Sequence, residues 1–575
     1  MVSYVWDCPA HDDAVSRPLA ESLGVAPLIG RLLWQRGLTD PEAAYRFLHP
    51  ALDQLHDPMR LADMGRAVER LSAAVAKRER IVVHGDYDVD GLTATVIVRR
   101  MLEMLGGDVG HFVPERIRDG YGLNVPAIDR LHAEGARVIV SVDCGIRGGD
   151  AARRARELGI DLIVTDHHEP DAALPDAYAV INPKRLDCSY PDKHLAGVGV
   201  ALKLVQALCG RDGHGRWLTG FLKLAALGTL ADVVPLLGEN RVIASLGLEA
   251  LSQGPHKAGL RALLEVSGLA GRRIDSYNVA FMLAPRLNAA GRMSTPDLAL
   301  RLLLASEDTM LEEARVLAGQ LNRENERRQQ EERVLVADAR RVVDHDPDIG
   351  SRSVLVVAGD DWHRGVIGIV ASKLVDSYHR PAIVIAIDGD TAHGSCRSIP
   401  AFDMLDALES CAGHLERFGG HRMAAGITLT TSQIRPFREA MATLGDNRLG
   451  PDDLRPRLRL DAPLGFRSIR PEFYEALNGL APFGVGNPKP LFFTRGAQVS
   501  QGPRRMKERH LSMGLRHDGV VLRGVYWRGI DREGLIAGAR EGLDVAFSVE
   551  QNTFNGMSSL ELTLADVKAG GPVAS

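Results

Sequence analysis

Residues 81–91, IVVHGDYDVDG, decide how this chain is read. Three branched apolar residues, Ile81, Val82 and Val83, precede one histidine and three aspartates within seven positions: His84, Asp86, Asp88 and Asp90. The apolar run has the pattern of a buried parallel strand, and residues 92–105 have the pattern of a following helix. In open α/β sheets ligands bind at the carboxyl ends of strands, where this cluster falls. Four ionisable side chains so crowded repel one another and resist desolvation; a bound cation relieves both. A solvated acidic turn would account for any one of these aspartates. It accounts poorly for three of them and a histidine behind a buried strand.

The pattern recurs twice downstream. Residues 137–142 (RVIVSV) run into Asp143-Cys144-Gly145, and residues 161–165 (DLIVT) run into Asp166-His167-His168. Helical segments lie between, including 150–158. Strands alternating with helices predict a mostly parallel sheet covered on both faces, with all three acidic tips on one edge. Asp232 lies inside LAALGTLADVVPL, residues 224–236, at the end of an expected apolar, buried helix, and a carboxylate in such surroundings needs a partner. Imidazole and carboxylate without thiolate favour Mn²⁺ or Mg²⁺ over zinc or an iron–sulfur cluster. Histidine tilts the choice toward Mn²⁺, and the number of carboxylates points to two ions. Two such ions clamp the attacking and leaving oxygens of a phosphoryl transfer. The residues alone therefore imply metal-assisted phosphoester hydrolysis.

A chain of 575 residues has room for several domains of roughly 150 residues each. Its 25% charged and 45% hydrophobic residues are ordinary globular composition. The net charge of −5 excludes a general basic excess, so nucleic acid would be met through local patches or metal ions. The six cysteines (8, 144, 188, 209, 396 and 411) form no CxxC pair and suit a reducing compartment. No basic-then-apolar leader opens the chain, and no apolar run is long enough to span a bilayer. The expected location is cytoplasmic, away from membranes.

Outside the acidic strand tips, residues 28–36 and 41–47 read as short helices. The segment PERIRDGYGLN, 114–124, carries Arg116, Arg118 and Tyr121, which suit a phosphate backbone and a stacked base as well as a solvated loop. Residues 280–292, AFMLAPRLNAAGR, carry Arg286, Asn288 and Arg292, with Pro285 interrupting the helical pattern. Salt bridges explain these arginines as well as substrate contact does. Residues 306–343 are dense in Arg, Glu and Gln and lack proline, as in a long exposed linking helix.

A second α/β unit follows, with strands at 353–358 and 380–386 around a loop and helix at 362–373. Gly394-Ser395-Cys396-Arg397-Ser398 is small, hydroxylic and cationic. FGGHRMAAG, 418–426, places His421 after two glycines at an expected helix start. Together they could grip a terminal phosphate, or be two tight turns. From about residue 455 short alternating strands (457–460, 490–493, 511–515, 520–526, 543–549 and 559–564) predict a small barrel. A basic loop at 501–509 offers Arg504, Arg505, Lys507 and Arg509. Phe493, Tyr526, Trp527, Phe547 and Phe554 offer stacking faces or core. Barrel, basic loop and aromatics fit an oligonucleotide-binding fold.

Several of these motifs belong together. Asp166-His167-His168 is the tripeptide of the DHH phosphoesterases, and His84, Asp88 and Asp90 match their first motif, H-x-x-x-D-x-D. Asp143 and Asp232 match the second and fourth motifs. HGDYDVDG, IRDGYGLN and APRLNAAGR further resemble the RecJ-type single-stranded-DNA-specific 5′→3′ exonucleases, over about residues 60–565. The resemblance implies two divalent cations, Mn²⁺ or Mg²⁺, held by His84, Asp88, Asp90, Asp143, His167 and Asp232, with Asp143 bridging. Asp166 would be a ligand or orient one, His168 would lie nearer the scissile phosphate, and Asp86 would be an extra acid standing behind the ligands or, alternatively, a ligand itself. Arg116, Tyr121, Arg286, Asn288 and Arg292 would meet substrate, with Ser395, Arg397 and His421 near its 5′-phosphate.

The implied fold is α/β: a DHH domain and a DHH-associated domain joined by a long helix, then an all-β barrel. The expected divisions are an N-terminal helical extension (1–60), the metal-binding domain (61–300), the connecting helix (301–345), the DHH-associated domain (346–450) and the barrel (451–568). The expected substrate is single-stranded DNA, degraded to mononucleotides in repair and recombination. A monomer is expected, with a single-strand-binding protein and a recombination helicase as partners. Two rivals are a phosphodiesterase for short oligonucleotides or cyclic dinucleotides, which would end before the barrel, and a non-catalytic DNA-binding scaffold, which would be free to lose ligands. Because all metal-ligand candidates precede residue 233, a chain cut near Arg455 is expected to keep its chemistry.

Overall fold

The computed structural model describes residues 4–115, 118–120, 122–211, 215–554 and 557–570. These form two compact units. One comprises Val15–Asn325 together with a distant segment, Leu477–Lys489; the other comprises Met1–Ala14, Glu326–Ala476 and Pro490–Ser575.

The first unit is built on a five-stranded parallel sheet. Its order is Asp108–Phe112, Arg80–Gly85, Val138–Val142, Asp161–Thr165, Ala179–Ile181. Ile81, Val82 and Val83 are buried, as are Val138 to Val142, because helices cover both faces. The strand carrying His84 lies between its successor in sequence and the strand carrying Asp143. The order reverses there, and the crevice at the strand ends is where such sheets take ligands.

The helix after the acidic motif starts earlier than its apolar pattern suggests. It spans Val89–Met104, and Asp88 is its N-cap, accepting from the N–H groups of Asp90 (2.9 Å) and Gly91 (3.1 Å). Capping thus draws two acids of the motif into the first turn. A side chain at Gly91 would meet the Asp86 backbone at 2.6 Å, so only glycine lets the turn close this tightly. Pro285 falls in the first turn of helix Ala284–Met293, behind a π-helical stretch, Val279–Leu283.

The linking helix runs Leu311–His345, 35 residues, roughly 50 Å at 1.5 Å per residue. In the second unit a five-stranded mixed sheet has the order Arg417–His421, Ala424–Thr430, Thr391–Arg397, Ala382–Asp388, Leu355–Asp360. His421 therefore ends a hairpin strand and does not begin a helix. Gly420, at φ 147°, lies against Ala424 and Ala425 across the hairpin, where any side chain would collide with their backbone.

Five strands close the C-terminal barrel: Phe492–Met506, His510–His517, Val520–Tyr526, Met557–Ala569 and Leu543–Phe554, the last pairing back to the first. The expected basic loop is largely strand: Arg504, Arg505 and Met506 pair with Ser512, Leu511 and His510, and the turn is made at Lys507 and Glu508. Tyr526 and Phe547 are core, while Trp527 is 56% exposed beside His510. The N-terminal strand Val5–Asp7 pairs in parallel with Arg457–Arg459, which no local pattern announces. Among the described residues no helix is long and apolar enough to cross a membrane.

Candidate metal centre and substrate contacts

The acids of three strand ends converge in the first unit. Among the described residues, ligand atoms of Asp86, Asp88 and Asp143 lie within 4.8 Å of one another, as do those of Asp90, His167 and Asp232, and those of Asp143, His167 and His168. Asp143 thus belongs to two of the groups. It sits in the left-handed region, φ 59°, with its N–H donated to Thr165 O at 3.0 Å. Such backbone at a strand end is uncommon and turns the carboxylate out of the sheet.

Asp90 and His167 are held from behind. The Asp90 carboxylate accepts from the N–H groups of Gly197 and Val198, both at 2.7 Å, at the start of helix Gly197–Arg211. His167 places Nδ1 3.1 Å from Leu195 O, which fixes Nδ1 as the donor and leaves Nε2 with its lone pair. That Nε2 lies 3.2 Å from Asp143 Oδ1 and 3.7 Å from Asp232 Oδ2. A side chain at Gly197 would come within 2.3 Å of Asp143 Oδ1. Neither Gly197 nor Leu195 stands out in the sequence, because both act through their backbone.

His84 lies outside the three groups. It is fully buried, with Nδ1 3.7 Å from Cys144 Sγ. Asp166 is also outside them. Its Oδ1 accepts from His167 N (2.7 Å), His168 N (3.1 Å) and His168 Nδ1 (2.7 Å), and its Oδ2 accepts from Ile146 N (2.9 Å). Asp166 is thereby fully engaged in orienting its neighbours.

The electrostatics are those of a cation site. Burial first, then the neighbouring acids Asp90, Asp88, Asp232 and Asp86, push Asp143 well above the usual carboxylate range. Asp90 and Asp232 are raised for the same reasons. Burial lowers His84 to about 4 and His167 to about 3, so both are neutral and able to ligate. Burial also works against the His168 cation, but Asp166 outweighs it and raises His168. For Asp166 burial is likewise outweighed, by the His168 hydrogen bond and charge and the Ile146 N–H, and its carboxyl is lowered. Asp143 Oδ1, His167 Nε2, His84 Nε2 and Asp232 Oδ2 are all buried with no hydrogen-bond partner. Leaving such atoms unsatisfied is costly, and divalent cations would satisfy them and stabilise the crowded carboxylates. The residues present fit the metal.

The helix bearing the arginines packs on the motif. Asn288 Oδ1 accepts from Val89 N at 3.1 Å, bracing the acidic turn. Arg286 donates to Asn322 Oδ1 (3.0 Å) and Met282 O (2.6 Å), and Arg292 is half-buried on the same helix. Arg116 and Tyr121 lie outside the described residues. Arg118 is ion-paired with Asp119 and Glu115.

In the second unit, the strand register puts three candidates on one sheet face. His421 is opposite Ala424, which is opposite Arg397; Gly419 is opposite Gly426, which is opposite Ser395. Directly opposed residues share a face, so Ser395, Arg397 and His421 surround a floor of glycine and alanine. Arg397 donates to Ser395 Oγ (3.2 Å) and Cys396 O (2.8 Å). At the start of helix Ile367–Tyr378, a Cβ on Gly368 would lie 3.0 Å from Ser395 Oγ and 3.3 Å from Arg397 NH2. A helix N-terminus and a guanidinium thus meet on one small-residue floor, surroundings that favour negative charge.

Comparison with known proteins agrees with this architecture. Residues 80–229 match the DHH family N-terminal domain, 351–444 the DHHA1 domain and 460–566 the RecJ OB domain. The chain is 38% identical over 566 residues to the single-stranded-DNA-specific exonuclease RecJ of Bacillus subtilis (strain 168), covering 98% of this chain and 70% of that protein. It is 35% identical to RecJ of Escherichia coli (strain K12), covering 94% and 96%. The crystal structure of Thermus thermophilus RecJ in complex with Mn²⁺ superposes with a TM-score of 0.83 at 33% identity, covering 98% of this chain and 79% of that one. The corresponding Mg²⁺ complex gives 0.78 at 31% identity, covering 98% and 78%. With the metal-binding sheet, the associated domain and the barrel each matched in order, and identity above 30% along nearly the whole chain, this protein belongs to the RecJ family of DHH phosphoesterases.

Proposed function

We propose that this chain is a metal-dependent exonuclease that hydrolyses phosphodiester bonds of single-stranded DNA from the 5′ end and releases mononucleotides. The observation that carries this reading is the convergence of the unsatisfied, buried Asp143 Oδ1, His167 Nε2 and Asp232 Oδ2 at the ends of a parallel sheet. The substrate follows from the relatives' names and from the barrel.

Asp86, Asp88, Asp90, Asp143, His167 and Asp232 would hold two divalent cations, with His84 as a further nitrogen donor. Bound there, the cations would supply the charge that activates water and stabilises the leaving oxygen. Asp166 favours the protonated form of His168 through Nδ1, so a proton given to the leaving oxygen would depart from Nε2. Ser395, Arg397 and His421 would hold the 5′-phosphate, with Arg286, Arg292, Arg116 and Tyr121 along the strand. Asn288 serves by bracing Val89, which supports the acidic turn. In this division residues 61–300 do the chemistry, 346–450 fix the end and 451–568 bind the strand, with 1–60 as an extension and 301–345 as the connection. A monomer in the cytoplasm, working with a single-strand-binding protein and a recombination helicase, completes the proposal.

Purified protein with Mn²⁺ or Mg²⁺ and end-labelled DNA tests it. Single strands should yield mononucleotides from the 5′ end, while blunt duplex should persist. Cleavage from the 3′ end, or equal cleavage of duplex, would refute the reading.

A further inference from the structure

We propose that Asn240 is a positioning residue of the metal centre. It would hold in place the turn that orients His167 and Asp90, and it would grip the loop after Asp232, which a segment distant in sequence also bonds. The proposal rests on reading those three residues as metal ligands.

Helix Gly238–Gln253 begins six residues after Asp232. In its first turn Asn240 and Arg241 are polar yet buried, at 0% and 2% exposure. Burying an amide and a guanidinium is costly unless every group is satisfied. The Asn240 side chain accepts from Ala196 N at 3.3 Å and donates Nδ2 to His194 O at 2.5 Å and Pro235 O at 3.1 Å. Two of those bonds grip the turn 194–196. This is the turn whose Leu195 O takes the Nδ1 proton of His167 and whose continuation, Gly197 and Val198, clasps Asp90.

The third bond reaches the Asp232 loop. The peptide group joining Pro235 to Leu236 is held at both ends: its carbonyl by Asn240, its N–H by Val485 O at 2.8 Å. Val485 belongs to Leu477–Lys489, the segment that packs with this unit although its flanking residues belong to the other. Arg241 fastens the same segment. It donates to Leu480 O (3.0 Å), Ala481 O (2.8 Å) and Gly479 O (3.4 Å), and also to Phe47 O (2.7 Å), with its guanidinium 3.6 Å above the Phe47 ring. Asn487 ties the segment to itself through Leu480 O and Pro482 O and takes a bond from Arg36.

Adjacent residues on one helix thus face two ways, Arg241 toward the strap and Asn240 toward the ligands. Loss of Asn240 would free Leu195 O to drift, and with it the His167 tautomer that presents Nε2. Groups that orient metal ligands typically contribute 10–100-fold in metal affinity. A merely structural asparagine would contribute stability alone.

The test uses the full-length protein freed of metal, titrated with Mn²⁺ by calorimetry, with amide hydrogen exchange measured in the metal-free state. Asn240→Ala should weaken Mn²⁺ binding about 10–100-fold and speed exchange at Gly197 and Val198. Leu263→Ala, at a buried site of the same unit, should lower stability without either effect. If Asn240→Ala does not fold, Asn240→Asp takes its place with the same expectation, since it keeps the acceptor for Ala196 N and loses both donors. Mn²⁺ affinity within twofold of the parent overturns the proposal, as does an equal loss in Leu263→Ala. His167→Ala separates the two levels. If it leaves Mn²⁺ affinity unchanged, the reading of the site itself fails; if it weakens binding and Asn240→Ala does not, only the positioning role fails.

Discussion

Asp143 concentrates the conflict of this site. It is 2% exposed, its backbone is left-handed, and four other acids press on it. Repulsion of that kind destabilises the metal-free fold and becomes attraction once cations enter. Asp143→Asn, which removes the charge and tolerates left-handed backbone, should therefore leave metal-free stability unchanged or higher while turnover falls at least about a hundredfold, read by thermal melts and strand cleavage. Near-normal turnover in a folded variant would remove Asp143 from the centre. Arg397 is the residue we propose for the other end of the substrate. A charge-assisted hydrogen bond to phosphate contributes about 1.5–3 kcal/mol, so Arg397→Ala should shrink the preference for 5′-phosphorylated over 5′-hydroxyl strands tenfold or more. Equal losses on both substrates would make Arg397 structural.

Elements are placed by caps and registers that act at their ends. Helix Met64–Ala76 starts from Asp63, left-handed at φ 61°, whose carboxylate accepts from Val180 N at 3.1 Å and Arg185 NH1 at 2.8 Å. Burial opposes its charge, but the Val180 N–H and the Arg185 guanidinium prevail and hold Asp63 below the usual carboxylate range. A lowered folded-state pKa gives stability that is present above the unfolded value, near 4, and lost as pH falls through the folded one. Asparagine tolerates left-handed backbone as well as aspartate does, so Asp63→Asn isolates the charge. We expect it to cost about 1 kcal/mol at pH 7, discounted for partial exposure, with parent and variant melting curves converging below pH 4. A difference that persists undiminished in acid would assign the effect to shape.

Across the whole molecule, chain order and architecture part company. The segment Leu477–Lys489 lies beyond the DHHA1 match, yet it packs with the metal-bearing unit and bonds the loop behind Asp232. The expectation that a cut near Arg455 spares the chemistry is therefore replaced. A chain ending at Arg455 should lose activity even on very short oligonucleotides, whereas one ending after Lys489 should keep it and lose affinity for strands of about ten nucleotides or more, the barrel's reach. In the barrel hairpin Arg505 is engaged bidentately by Glu533, which leaves Arg504, Lys507 and Arg509 as the cations to offer a strand. At about 0.7 counterions per phosphate contact, removing them should reduce the salt slope of long-strand binding by about 2. Equal activity of the two truncations on short oligonucleotides, or an unchanged slope, would contradict this assignment.

The sequence by itself determined what is local and periodic. Alternation of apolar runs with helical segments gave the parallel sheet, and an acid placed directly after each buried run had to emerge on the sheet's ligand-binding edge. The unbroken polar stretch gave the long helix, because nothing in it terminates one. Tertiary structure decided whatever rests on backbone atoms or on partners distant in sequence. Asp88 became a cap, His421 the end of a hairpin strand and the basic loop a strand, since caps and registers depend on what each end meets. That Leu195 O orients His167, that Gly197 must lack a side chain beside Asp143, and that residues 477–489 return to the metal unit were invisible beforehand. A carbonyl or an amide is the same in every residue, and only the fold gives it an address.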